Sequence, residues 1–145
     1  MSLAAKWFAE PGTPKHRRGR TFAEIPVRAF RELLVWQKAH ALTLALYKVT
    51  RAFPRDERYG LIAQIRRAAA SVPANLAEGC GRRTAADFGR FVQIALGSAS
   101  ELEYHLVLAA DLDFLLPDQY TELDGRATEV KRMLTGLAKK LTRDK

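Results

Sequence analysis

The sequence predicts an all-α protein, an antiparallel up-down-up-down four-helix bundle with a basic N-terminal extension. Three observations carry that expectation. Apolar residues recur at helical spacing over long stretches. Pro54, Gly79-Cys80-Gly81 and Pro117 mark the breaks between those stretches. The connections left between them are short, which makes neighbouring helices antiparallel. No strand-like alternation or hairpin signal competes.

A first helix is expected from about Phe30 to Phe53, because Pro54 removes a donor and restricts the residue before it. A second runs from Glu57 to Gly79, with Pro73 kinking it, and Gly79-Cys80-Gly81 reads as its stop. Thr84-x-x-Asp87 resembles a capping box and opens a third helix that reaches Leu112. Pro117 suits the first turn of a fourth, which continues to Arg143. Helices of this size are roughly 33–40 Å long. In the fourth, Tyr120, Leu123, Ala127, Val130, Leu134, Leu137 and Leu141 follow a heptad seam. In the third, Phe88, Phe91, Val92, Ala95, Ala99, Leu102, Leu106 and Ala109 form one stripe. Ile94, Leu108 and Leu112 lie off that stripe. The first helix likewise spreads Leu34, Trp36, Leu42, Leu44, Leu46 and Val49 around its circumference. A second apolar line favours burial against another subunit, so a homo-oligomer is expected.

Length and composition set the bounds. At 145 residues and 48% hydrophobic, the chain suits one domain with a real core. Residues 1–29 form the extension, which is expected to be flexible, and 30–145 the bundle. The extension holds Lys6, Lys15, Arg17, Arg18, Arg20 and Arg28 against Glu10 and Glu24. Half of the +8 net charge therefore sits in about a fifth of the chain. Its Trp7-Phe8 pair is able to dock on a partner. Such a charge favours an anionic partner, either nucleic acid or an acidic protein surface. The single cysteine, Cys80, excludes an intramolecular disulfide and a multi-cysteine zinc site. No stretch has the length and apolarity of a membrane span, and the N-terminus lacks the pattern of a secretory signal. The protein is expected to be cytoplasmic.

On the second helix Gln64, Arg67, Ser71, Asn75 and Glu78 share one narrow polar strip beside the apolar face of Leu61, Ile65, Ala68, Val72 and Leu76. Ser98, Glu101 and His105 offer a matching line on the third. A polar line bordering a core builds a hydrogen-bond network, and an ion pair from Arg67 or Arg66 to Glu101 is expected. Asn75 is placed to satisfy backbone groups that Pro73 frees. Such seams usually fix register and not chemistry. A di-iron bundle needs Glu-x-x-His, whereas this chain has Glu101-x-x-x-His105. Cys80 near a helix carboxyl end is disfavoured as a thiolate. Phosphate-binding loops, dinucleotide fingerprints and nucleophile elbows are missing from the sequence. No catalytic residue, metal site or cofactor is therefore expected.

Arginine is the other feature. Arg51, Arg55 and Arg58 crowd the first connection, Arg66 and Arg67 follow on the second helix, and Arg82, Arg83 and Arg90 crowd the next turn. With Arg17, Arg18 and Arg20 in the extension, these side chains suit bidentate contact with phosphate. Stacking aromatics are sparse apart from Tyr59 and Phe53, so binding should be backbone-led and salt-sensitive. Lys139, Lys140 and Arg143 complement a helix carboxyl end.

Arg51-Ala-Phe-Pro54-x-x-Glu57-x-Tyr59-Gly60-Leu61, then Gln64-Ile-Arg66-Arg67-Ala68, then Ser71-Val-Pro-Ala-Asn75-Leu-Ala-Glu78-Gly79 resembles the 23S rRNA-intervening sequence proteins. Trp36 fits, as do Phe88-x-x-Phe91 and Ala95-x-Gly-Ser98-x-x-Glu101-Leu102. The likeness covers Phe30 to Leu141. It implies a left-handed four-helix bundle that assembles into a ring-like homopentamer. It also implies kinship with the accessory variability determinants of diversity-generating retroelements, basic pentameric bundles that associate with a reverse transcriptase and bind nucleic acid. The function expected from sequence is thus a non-enzymatic, basic, homo-oligomeric bundle binding nucleic acid, RNA before DNA. A scaffold or adaptor oligomer with no nucleic-acid role is the alternative.

Overall fold

A computed structural model describes residues 27–143. The extension arginines Arg17, Arg18 and Arg20, and the Trp7-Phe8 pair, lie outside the described residues. Four α-helices follow a 3-10 turn at Val27–Glu32: α1 Leu34–Thr50, α2 Leu61–Cys80, α3 Ala85–Asp111 and α4 Pro117–Arg143. Each packs on its neighbours in sequence, and α4 closes the ring against α1. The up-down-up-down bundle is the fold. Among the described residues, no helix is long and apolar enough to cross a membrane.

The expected stripes form the core. All eight stripe residues of α3 are buried, as are Leu123, Ala127, Val130, Leu134, Leu137 and Leu141 of α4. Leu46, Ile65, Leu76, Leu102, Leu106 and Leu134 are sealed completely. At roughly 1.5–3 kcal/mol for each large apolar side chain removed from water, this interior is the main stabilising term.

Helix ends depart from the sequence expectation for local chemical reasons. The α1 helix begins four residues late, after the tighter turn at Val27–Glu32, and its last turn narrows into i→i−3 bonds, with Phe53 N–H donating to Thr50 O at 3.1 Å. The α2 helix begins at Leu61 and not at Glu57. Arg55–Glu57 makes its own 3-10 turn, and the Glu57 carboxylate accepts from Leu61 N–H at 2.9 Å. An acid expected inside the helix thus caps it from outside. At the α2 end, Gly81 has φ −83°, so the stop does not use the left-handed conformation expected of glycine. Gly79 is needed for packing instead: a Cβ there would meet the Phe88 ring at 2.5 Å and Phe91 Cβ at 3.0 Å. The α3 helix closes with a Schellman motif, Phe114 N–H to Ala109 O at 2.9 Å and Asp113 N–H to Ala110 O at 3.0 Å, with Asp113 at φ 62°. Pro117 opens α4 as expected, and the Gln119 amide oxygen reaches back to Leu116 N–H at 2.9 Å.

Pro73 sits inside a continuous α2. It has no N–H to give the Ala69 carbonyl four residues earlier. That oxygen is buried with Ala69, and it is met from the neighbouring helix. The one Thr43 hydroxyl proton is shared between Ala39 O at 2.8 Å and Ala69 O at 3.1 Å. Asn75, the residue expected to serve the freed backbone, instead donates to Ser71 O at 2.8 Å and Ser71 Oγ at 3.0 Å. Thr43 therefore compensates the proline. Thr43→Val should cost about 1–2 kcal/mol in urea denaturation, the cost of stranding a buried acceptor. In a Pro73→Ala background the same substitution should be close to neutral, because the backbone N–H restored at position 73 then takes the carbonyl. Equal costs in both backgrounds would contradict the pairing.

Candidate nucleic-acid interface

The polar seam forms between α2 and α3, in two groups. Arg67 Nη2 pairs with Glu101 Oε1 at 2.5 Å and donates to Gln64 Oε1 at 2.8 Å. One turn further on, Ser71 Oγ and Ser98 Oγ share a hydrogen bond at 2.8 Å, with the Asn75 amide on Ser71. Of the two arginines, Arg67 makes the expected pair with Glu101. Glu78 pairs instead with Arg82, just past the end of α2, at 3.3 Å. The Arg67–Glu101 pair is largely solvated, so its contribution is modest, about 0–1 kcal/mol. His105 lies beside it, mostly buried, with Nε2 3.4 Å from Glu101 Oε1 and no hydrogen bond at either ring nitrogen among the described residues.

The arginines do not form one surface. Arg66 is committed to the fold: Nε donates to Thr50 Oγ at 3.0 Å, Nη2 to Tyr47 O at 3.2 Å, and the guanidinium lies 4.6 Å from the Tyr47 ring centre. It caps the carboxyl end of α1, where unpaired carbonyls and the helix dipole favour a cation. Arg51 and Arg55 are exposed on the α1–α2 connection and make no ion pair among the described residues. Arg58 stacks at 5.4 Å on the Tyr59 ring. Phe53 and Phe114 meet at 5.5 Å between ring centres, which ties that connection to the α3–α4 turn at one end of the bundle. Arg82, Arg83 and Arg90 lie at the opposite end. Arg82 covers the Phe91 ring at 4.8 Å, Arg90 approaches Asp87 at 3.9 Å, and Arg83 is exposed with no ion pair among the described residues.

Sequence reading missed the links on the other side of the bundle, Lys38 to Glu129 and Lys131 to Glu103 at 2.8 Å. Their residues lie on different helices and carry no shared spacing. Thr43 and Thr50 were also missed as functional parts of the fold, although two threonines seven apart on an otherwise apolar face were a visible signal.

Burial pushes the Cys80 thiol up to about 12, which leaves it a poor nucleophile at neutral pH. Among the described residues, no group of three or more His, Cys, Asp or Glu is placed to hold a metal ion.

The family model of the 23S rRNA-intervening sequence proteins matches residues 31–136, most of the bundle. The chain belongs to the 23S rRNA-intervening sequence protein family. A search of the curated proteins finds no match. Among solved structures, the chain is similar to a protein of unknown function from the S23 ribosomal protein family of Bacteroides thetaiotaomicron. The two share 27% identity over 73% of this chain and 99% of that one, with a TM-score of 0.67. The family match includes the α2–α3 seam and stops short of the basic last turn of α4.

Placement gives a direct test of which arginines serve the fold. Arg66→Ala should cost about 2 kcal/mol in urea denaturation, because its charged hydrogen bonds close the α1 end. Arg67→Ala should cost less than about 1 kcal/mol, as a solvated pair does. The reverse order would mean that the seam pair, and not the helix-end contact, is the stronger link.

Proposed function

We propose that this family member is a non-enzymatic, basic homo-oligomer that binds nucleic acid, RNA in preference to DNA, through its cationic surface. The observation that carries the reading is the set of solvent-facing basic side chains without a carboxylate partner among the described residues, Arg83, Lys139 and Arg143 among them. A charge that served only solubility would be interspersed with acids. Here the sequence carries 24 basic against 16 acidic residues, and several basic ones stand unpaired. Exposed aromatics near them are few, which favours contact with the phosphate backbone over base reading.

Self-association is supported by exposed apolar surface. Ile94, Tyr104 and Leu112 on and just after α3 are 51%, 60% and 47% exposed, and Leu44 on α1 is 59% exposed. Of the other off-stripe residues, Leu42 and Leu46 belong to the core, and Leu34, Trp36, Val49 and Leu108 are partly buried. The second line is therefore narrower than its sequence suggested. A closed ring such as the homopentamer would cover it.

Fluorescence anisotropy tests the reading, with a labelled RNA hairpin and duplex DNA at low and physiological salt. Full-length protein and a chain starting at Val27 should both bind RNA with sub-micromolar affinity at physiological salt. Binding lost with the extension would move the function to residues 1–26. No binding at low salt by either chain would sink the nucleic-acid reading and leave the scaffold. Light scattering on the same samples should give a mass several times that of one chain.

A further inference from the structure

The two ends of the bundle differ in charge. At the end tied together by Phe53 and Phe114, residues 48–60 and 111–122 carry Lys48, Arg51, Arg55 and Arg58 against Asp56, Glu57, Asp111, Asp113, Asp118 and Glu122, a net charge of −2. At the other end, residues 78–90 and 138–143 carry Arg82, Arg83, Arg90, Lys139, Lys140 and Arg143 against Glu78 and Asp87, a net charge of +4. The ends are separated by the length of α3, 27 residues or roughly 40 Å. That is about five Debye lengths at physiological salt, so each end acts as its own electrostatic environment. The arginines of the α1–α2 connection share their end with an excess of carboxylates, although none pairs with one among the described residues. Those near the α2–α3 turn share theirs with an excess of bases, Arg82 and Arg90 each meeting one carboxylate.

From this polarity we infer that the phosphodiester backbone docks on the end where α2 turns into α3 and α4 finishes, not on the opposite end. The inference rests on the nucleic-acid reading above. The last turn of α4 and the first turns of α3 border one open groove of about 210 Å³, lined by Ala85, Ala86, Gly89, Arg90, Gln93 and Leu141, among others. On the α4 side the groove is bordered by Ala138, Leu141 and Thr142, and Lys139, Lys140 and Arg143 belong to the same last turns of that helix. Its walls are low: a Cβ built at Gly89 meets nothing within 4 Å. A backbone phosphate can therefore approach the helices closely beside Arg90, with the basic residues of the last α4 turns next to the groove. Glu78 and Asp87 are held in solvent-exposed pairs, with Arg82 at 3.3 Å and with Arg90 at 3.9 Å. Such pairs are weak, and a phosphate can displace them. Lys139, Lys140 and Arg143 then complement the carboxyl end of α4 and bind ligand as well.

The exposed aromatics stand elsewhere. Tyr59 sits on the far connection, Tyr47 near the far end of α1, and Tyr104 two turns from the far end of α3. Among the described residues, phenylalanine and tryptophan rings at the basic end, Phe30, Trp36 and Phe91 among them, are half-buried or buried, which favours contact with the phosphate backbone over base stacking.

Two full-length variants that each remove four positive charges test this directly. R82Q/R83Q/K139Q/K140Q should lose affinity for an RNA hairpin by about tenfold or more at physiological salt. Its log–log salt slope should fall by up to about 3–4, near 0.9 for each contact removed. K48Q/R51Q/R55Q/R58Q should stay within about threefold of the parent. Equal losses, or a larger loss in the second variant, would overturn the inference while leaving nucleic-acid binding intact. No binding by the unmodified protein would remove the underlying reading itself. Duplex DNA of the same length distinguishes the two sources of phosphate backbone. Polyglutamate binding as tight as RNA would assign the basic end to an acidic protein surface and overturn the proposal. Circular dichroism checks folding, and K139Q/K140Q alone, confined to the last turns of α4, provides a milder variant with the same expected direction.

Discussion

Gly79 lies so near α3 that a single methyl group in its place would meet the Phe88 ring at 2.5 Å. Glycine in a helix interior costs roughly 1 kcal/mol relative to alanine, so its presence reflects the packing that it allows. The same close approach continues along the pair. Small residues Ala68, Ala69, Ala95 and Ala99 are buried with it, and Ser71 meets Ser98 across the helices at 2.8 Å. Arg67 and Glu101 then close the outer edge. The α2–α3 contact is the most extensive in the bundle, and α1 and α4 complete the core around it. Because α2 and α3 run so close, the turn between them is short, and Arg82 and Arg83 are held at the tip of the bundle.

Proline in the middle of α2 would by itself be a weak point in that pair. The Thr43 hydroxyl removes the difficulty by donating to the carbonyl that Pro73 leaves open. Arg66 does comparable work at the end of α1, donating to Tyr47 O and Thr50 Oγ. The buried threonines and the half-buried Arg66 therefore serve the backbone, and the seam serves the helix pair. What remains free is the outer surface. Its charge is divided between two ends about 40 Å apart, a separation at which screening makes them independent.

Much of the fold was legible from sequence because burial imposes periodicity. The α3 stripe and nearly all of the α4 heptad seam reappear in the core. The polar seam was legible for the same reason, since polar residues at helical spacing beside an apolar face have few places to go. Capping was harder to read. Glu57 looked like the first turn of α2 and proved to cap it from outside, and Gly79 looked like a stop and proved to be a packing residue. The Gly79 contact depends on how two helices meet, which no local pattern encodes, and the Glu57 cap depends on the 3-10 turn that sets it just outside α2. The arginines show the limit most clearly. Arg51, Arg55 and Arg58 looked equivalent to Arg82, Arg83 and Arg90 in sequence. Only the topology brings Asp111, Asp113 and Asp118 to the end that holds the first group, and Lys139, Lys140 and Arg143 to the end that holds the second.

Lysine footprinting on the intact protein tests that division most directly. The full-length chain would be acetylated with and without saturating RNA, and each lysine's modification read by mass spectrometry. Protection confined to Lys139 and Lys140, with Lys48 at the opposite end unchanged, is the result predicted by the polarised bundle. Protection of Lys48 in place of that pair, or of Lys6 and Lys15 alone, would contradict it.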